Sequence, residues 1–245
     1  MNSKNSTILI TGCSSGIGYQ TALYLHQKGY KVFATARKEK DVLKLEKLGL
    51  TSFLLDVTKY ETISDTFDKI LQLTNGKIDI VFNNAGFGQP GAVEDLRTDI
   101  LKEQFETNVF GLHEVTVQAL KIMKKQGYGT IIQHSSVLGI ISLKLRGAYN
   151  ASKYAIEGLT DTLRLELKNT NINVTLLNTG PVTSDFRKNA IQKTLDNIDI
   201  NHSRFTEDYH KSMDADKSKV PFNLEAIEVS KVVEKIIVSK TVKPR

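Results

Sequence analysis

The feature that most constrains this chain is a glycine-rich octet, Thr11-Gly12-Cys13-Ser14-Ser15-Gly16-Ile17-Gly18, set between a β-branched run, Thr7–Thr11, and an amphipathic stretch, Gly16–Lys28. A strand that turns through three glycines directly into a helix opens a βαβ unit. The alternation continues, with further strands expected at Lys31–Ala36, Ser52–Leu55, Ile78–Asn83, Thr130–His134 and Asn173–Leu177. Helical periodicity marks Glu39–Leu48, Thr62–Leu73, Asp99–Lys125 and Tyr149–Lys168, with Gly29, Gly49, Gly76 and Gly127 near C-terminal ends. Right-handed crossovers then give an α/β fold, a doubly wound parallel sheet with helices on both faces.

After Pro181 the pattern changes. Residues 183–221 are polar, carry His202 and His210, have weak helical periodicity, and are expected to form a mobile substrate lid. A last helix, Leu224–Ser239, follows Pro221. No repeat, low-complexity tract or linker divides the 245 residues, so one domain over 1–245 is expected. A single cysteine, Cys13, allows neither an internal disulfide nor a cysteine metal site, which points to a reducing, cytoplasmic location and no metal. From the polar start, Met1-Asn2-Ser3-Lys4-Asn5-Ser6, no secretory signal is expected, and no run approaches the ~18–20 apolar residues of a membrane span. The net charge of +6 is spread over every segment, so a solvated surface is expected and no nucleic-acid partner.

The glycine turn admits two chemistries. Backbone amides at the start of the following helix can hold a pyrophosphate: Gly12 permits the sharp turn, Gly16 a close approach, and Gly18 tight packing of helix on sheet. The same residues also spell G-x-S-x-G, so Ser14 competes as the nucleophile of a serine hydrolase. Such an elbow normally follows several strands, whereas one precedes it here, and dinucleotide binding is preferred. No Gly-Lys-Ser/Thr follows, which excludes a nucleoside-triphosphate P-loop. The second strand ends Ala34-Thr35-Ala36-Arg37-Lys38, with no carboxylate to hold a ribose hydroxyl and a guanidinium that suits a 2′-phosphate. NADP(H) is therefore expected over NAD(H); the bland alternative is two surface cations opening a helix. Asp56 and Asn83-Asn84-Ala85-Gly86 fall at further strand ends, where an open sheet binds its ligand.

Tyr149 and Lys153 are four apart on one helix face, and Ser136 lies thirteen residues before Tyr149 with Ser135 beside it. An ammonium beside a phenol favours the phenolate, bringing the tyrosine toward use as an acid or base. A Tyr–Lys surface contact alone would be unremarkable. Here the motifs occur in order: Thr11-Gly-x3-Gly-Ile-Gly, Asn83-Asn84-Ala85-Gly86, Asn108, Ser135-Ser136, Tyr149-x3-Lys153 and Gly180-Pro181-x-Thr183.

Over nearly its whole length the chain resembles the short-chain dehydrogenase/reductase family, within it the NADP-dependent aldehyde reductases and their relatives acting on retinoids and 17-beta-hydroxysteroids. The resemblance implies a single-domain Rossmann fold and hydride transfer between nicotinamide and a carbonyl or alcohol. It implies catalysis by Ser136, Tyr149 and Lys153, with Asn108 holding a backbone kink and a water that links Lys153 to solvent. Cofactor contacts are implied at Gly12, Ser14, Ser15, Gly16, Ile17, Gly18, Arg37, Asp56, Val57, Asn84, Ala85, Gly86, Tyr149, Lys153, Pro181, Val182 and Thr183. A homodimer or homotetramer is implied as well. A non-catalytic dinucleotide-binding protein on this fold is the rival, against which the intact Ser136, Tyr149 and Lys153 argue. Two residues depart from the family pattern: Thr179 stands where proline is usual, and His134 where an apolar residue is usual. His134 is expected to be a satisfied packing residue, and a seventh strand and tail bordering the pocket are expected beyond the last residues.

Overall fold

The computed structural model describes residues 5–214, 223–239 and 241–245. Six strands, β1 (Thr7–Ile10), β2 (Lys31–Ala36), β3 (Thr51–Leu54), β4 (Ile80–Asn83), β5 (Gly129–Ser136) and β6 (Ile172–Thr179), form one parallel sheet in the order β3-β2-β1-β4-β5-β6. The chain winds outward from β1 to β3 and then returns to β4, so a crevice opens at the carboxyl ends of β1 and β4. That crevice is where the glycine turn lies.

The strands are unbroken apolar runs because helices cover both sheet faces. Successive side chains point to opposite faces, and Ile8, Leu9 and Ile10 are all fully buried. On one face Ile8, Ile10, Ala34 and Phe82 pack with Ala22 and Leu25 of α1 (Gly16–Gln27) and Val229 and Val233 of α9 (Ala226–Val238). On the other, Leu9, Phe33, Val81 and Ile131 pack with Ile63 and Phe67 of α3 (Tyr60–Leu73) and Val115, Ala119 and Met123 of α5 (Leu112–Gln126). The remaining helices are α2 (Glu39–Glu46), α4 (Thr98–Phe105), α6 (Gly147–Glu166), α7 (Phe186–Asn197) and α8 (Thr206–Asp214).

The expected helix Asp99–Lys125 is divided. Between α4 and α5 the residues Glu106–Gly111 form a π-helical stretch. Two contacts account for it: the buried Asn108 side chain brackets the backbone of Phe87, and a Cβ on Gly111 would stand 2.6 Å from the Val57 carbonyl oxygen. π-Helical insertions concentrate at functional sites, and a one-residue slip leaves the apolar periodicity nearly unchanged.

Residues 183–214 are more helical than their periodicity implies. Only Thr194 of α7 and Tyr209 of α8 are buried, so neither helix carries a broad apolar stripe. Specific contacts hold them instead. The Tyr209 hydroxyl donates to Asp95 at 2.8 Å and accepts the Ala92 N–H at 2.6 Å, while Asn197 donates to Gln89 at 2.7 Å. A short parallel pair, β7 (Val182–Thr183) with β8 (Leu224–Glu225), joins the two ends of this excursion. Residues 215–221 of the expected lid, with Pro221, and Met1-Asn2-Ser3-Lys4 lie outside the described residues. Beyond α9, the Pro244 carbonyl accepts the Leu176 N–H at 3.0 Å, laying the tail along the edge of β6. Among the described residues no helix is long and apolar enough to cross a membrane, and no cluster of His, Cys, Asp and Glu could hold a metal ion.

Candidate active site

The glycine turn is a tight backbone cradle. Gly12 has φ +72° and Gly16 φ +60°, a region that favours glycine. A Cβ on Gly12 would stand 2.8 Å from the Ala85 Cα, and one on Gly18 would stand 2.3 Å from the Asn84 Nδ2 and 2.5 Å from the Gly12 oxygen. Asn84 spans the gap between β4 and this turn, its Nδ2 donating to the Thr11 oxygen at 2.9 Å and the Gly12 oxygen at 3.1 Å. The Thr11 hydroxyl in turn accepts the N–H groups of Asn84 and Ala85, each at 3.0 Å. Ser15, at the N-cap of α1, makes no side-chain cap, and no acidic residue occupies the first helical turn. Ser14 and Ser15 are exposed. The positive end of α1 thus presents uncapped amides toward the crevice, as an anion site requires. Cys13 is buried, which pushes its thiol up to about 12 and leaves it inert.

The other expected cofactor positions lie around the same crevice. Arg37 is exposed just beyond β2 and joins no ion pair among the described residues. Asp56 closes a turn on Thr58, accepting its N–H at 3.0 Å and its hydroxyl at 2.8 Å, and Val57 is buried. Gly86 lies against Asn108, whose Oδ1 a Cβ there would meet at 3.1 Å. The Pro181 carbonyl accepts the Leu224 N–H at 3.1 Å, while Val182 and Thr183 pair with Leu224 and Glu225. Ser184, which sequence reasoning passed over, stands 3.3 Å from where a Gly16 Cβ would be.

Ser136 ends β5 and Tyr149 stands in the first turn of α6; the Ser136 Oγ donates to the Thr179 carbonyl at 3.3 Å and accepts the Leu138 N–H at 3.1 Å, with the Tyr149 phenol near enough to feel it. The Lys153 Nζ donates to the His134 carbonyl at 2.7 Å and lies 5.5 Å from the centre of the Tyr149 ring. Burial pushes the Tyr149 phenol up to about 12, against a smaller downward pull from Ser136. The expected depression of the phenol by Lys153 does not occur, because burial penalises the charged phenolate. Burial likewise brings Lys153 down to about 8, opposed by the charge of Glu157.

Asn108 makes no direct hydrogen bond to Lys153 among the described residues. Its Oδ1 accepts the Phe87 N–H at 3.1 Å and its Nδ2 donates to the Phe87 carbonyl at 2.9 Å and to the Ser152 hydroxyl at 3.2 Å. The side chain thus stands in for a peptide group at the kink. Above Tyr149, the ring of Phe186 from α7 packs edge-on at 5.6 Å. A Cβ on Gly88 would meet that ring at 2.9 Å. Phe186 was not legible as a site residue, since it lies in a segment without pattern.

The two departures from the family pattern contact each other. His134 Nε2 lies 3.0 Å from the Thr179 hydroxyl, and its Nδ1 lies 3.1 Å from the Asn84 Oδ1. A proline at 179 would offer no hydroxyl. Burial, with the nearby Lys153 charge, brings the imidazole down to about 3, so His134 is neutral and fully bonded. Ser14 makes no hydrogen bond to a histidine among the described residues, and His202 pairs with Asp199 far along the excursion.

A parallel α/β sheet with a glycine cradle at its switch point and a Ser–Tyr–Lys cluster at the neighbouring strand end defines a dinucleotide-type oxidoreductase fold. The short chain dehydrogenase family model matches residues 6–195, and the chain belongs to that family. It is 41% identical over 190 residues to the uncharacterized oxidoreductase YbbO of Escherichia coli K12, covering 78% of this chain and 71% of that protein. It is 37% identical over 190 residues to human retinol dehydrogenase 8, covering 74% of this chain and 60% of that one. Among solved structures, an actinorhodin polyketide ketoreductase variant with NADPH superposes with a TM-score of 0.78 at 28% identity, covering 96% and 91% of the two chains. Serine dehydrogenase complexed with NADP+ does so with a TM-score of 0.79 at 26% identity, covering 95% and 89%.

Proposed function

We propose that this protein is an NADP(H)-dependent reductase of lipophilic aldehydes or ketones, with Tyr149 as general acid. The observation that carries the reading is the meeting of Ser136, Tyr149 and Lys153 at the end of β5, beside the glycine cradle at the sheet's switch point. The cradle fits a dinucleotide: its amides are uncapped, and side chains at Gly12 or Gly18 would fill it. Gly12, Ser14, Ser15, Gly16, Ile17 and Gly18 would hold the pyrophosphate, and Arg37 the 2′-phosphate. Asp56, Val57, Asn84, Ala85 and Gly86 would line the neighbouring strand ends, with Pro181, Val182 and Thr183 beyond β6. When bound, the nicotinamide supplies or takes the hydride.

The residues divide the rest of the chemistry. Ser136 donates to the substrate oxygen and fixes its direction. A phenol pushed up to about 12 is fully protonated at neutral pH, so Tyr149 is set to give its proton to an oxygen that gains negative charge as the carbonyl is reduced. Lys153, anchored by the His134 carbonyl, supplies positive charge beside the phenol as that proton leaves. Asn108 fixes the kink that brings the backbone of Phe87 to the site, and a water between it and Lys153 would return the proton.

The substrate class rests on the apolar rim. Phe186 is 42% exposed over Tyr149, and Val137, Ile140, Ile141 and Leu143 follow Ser136 with 38–56% exposure. Related proteins named for retinol and for 3-ketodihydrosphingosine support the same class. Exposed Phe110, Leu159 and Leu165 provide apolar surface for the implied homodimer or homotetramer. The reading is tested by following NADPH oxidation against aldehydes, ketones, quinones and acyl thioesters, with Tyr149→Phe as the control. That variant keeps the ring and the cofactor site, so NADPH binding survives while turnover falls roughly 10²–10⁴-fold. Near-normal hydride transfer by folded Tyr149→Phe would overturn the assignment.

A further inference from the structure

Three consecutive residues at the end of β5 meet three successive positions on α6. Tyr149, Lys153 and Glu157 are four apart and form one stripe along the helix. Tyr149 stands beside Ser136, Lys153 donates to the His134 carbonyl at 2.7 Å, and the Ser135 hydroxyl donates to Glu157 Oε1. Two of these contacts belong to the reacting cluster. The third has no part in the chemistry described so far.

Glu157 is buried, with its side chain 9% exposed, yet it gathers donors from three elements. Its Oε1 also accepts from the Asn178 Nδ2 of β6 at 2.6 Å, and that nitrogen donates to the Ser136 carbonyl at 3.2 Å as well. Its Oε2 accepts from Arg245 at 3.0 and 3.2 Å. A Cβ on Gly139, in the turn after Ser136, would stand 2.9 Å from the Glu157 Cγ. A neutral glutamine could still accept the Ser135 and Asn178 bonds, though more weakly. What the carboxylate adds is negative charge, at a cost in desolvation, one helical turn from Lys153.

We infer that Glu157 is a positioning residue for the reacting groups: it locks the end of β5 onto α6 and sustains the Lys153 ammonium, with Arg245 balancing its charge. The functional part rests on Tyr149 and Lys153 reacting as proposed above. The charged and titratable groups facing the pair are Tyr149 and Asp161 on α6, His134 on β5 and Arg245 on the tail; Asp161 also binds Arg164 and Arg245. Removing the Glu157 charge disfavours the Lys153 ammonium. Removing Arg245 does the reverse, because Glu157 is then left without its counter-charge.

The test is a pH titration of the full chain with isotope-labelled lysines, followed by NMR, with the Lys153 signal assigned by its loss in Lys153→Arg. Wild-type Lys153 is expected to titrate near 8. In Glu157→Gln it moves down by about one unit, the ordinary effect of one nearby charge. In Arg245→Met it moves up, and Glu157→Asp returns it toward the wild-type value. A Lys153 titration unmoved in both Glu157→Gln and Arg245→Met overturns the inference. Should Glu157→Gln fail to fold by circular dichroism, Arg245→Met decides by the same criterion. The titration needs no turnover, so a fully active Tyr149→Phe would sink the proposed chemistry and leave this result to be judged separately.

Discussion

Gly18→Ala tests whether the tight contact between α1 and the Asn84 bridge holds the cradle. The added methyl would sit 2.3 Å from the Asn84 Nδ2 and 2.5 Å from the Gly12 oxygen, distances at which something must move. Gly12 cannot give way easily, since its own Cα faces Ala85, so the displaced group is the Asn84 amide with its bonds to Thr11 and Gly12. Losing those two bonds costs about 1–3 kcal/mol. For a chain of this size that lowers Tm by roughly 3–10 °C. Because the same bonds set the turn whose amides face the crevice, NADPH affinity falls at least about tenfold. Gly158→Ala is the matched control: it lies in mid-helix with nothing within 4 Å of the new Cβ, and should be neutral or stabilise α6 by roughly 0.5–1 kcal/mol. Thermal melts and fluorescence titration of NADPH measure both variants. Wild-type Tm and affinity in Gly18→Ala would show that helix and bridge are loosely apposed and that the cradle argument is wrong.

Arg37→Ala should reduce a preference for NADPH over NADH of at least about tenfold toward parity, read as two dissociation constants; equal wild-type affinities would refute the 2′-phosphate role. His134 makes stability fall in acid. Its folded value near 3 lies below the ordinary 6.5, so below 6.5 the unfolded chain binds a proton the folded chain does not, and stability drops by up to about 1.4 kcal/mol per pH unit down to about 3. His134→Gln should lose less Tm between pH 7 and 5 than wild type, and identical losses would deny the imidazole this part. A fluorophosphonate probe should leave Ser14 unlabelled, whereas covalent labelling there would restore the hydrolase reading.

The α/β alternation, the six strands to within two residues, and the glycine turn were all readable from the residues alone. Each rests on local physics: strand and helix periods, and the backbone freedom of Gly12 and Gly16. The i, i+4 spacing that placed Tyr149 and Lys153 on one face follows from helix geometry in the same way. The same spacing extends to Glu157, but nothing local distinguishes that residue from an ordinary surface glutamate, because its partners Ser135, Asn178 and Arg245 come from β5, β6 and the tail. Tertiary structure also decided what the pairing of Tyr149 and Lys153 does. Spacing alone suggested a phenol lowered by its lysine, whereas burial raises the phenol and lowers the ammonium, and burial is a property of the packed fold. The His134–Thr179 contact and the edge-on Phe186 belong to the same class of facts. Sequence fixes what can be computed within a turn or two of the chain, and it leaves open those interactions whose partners are brought together only when the sheet is assembled.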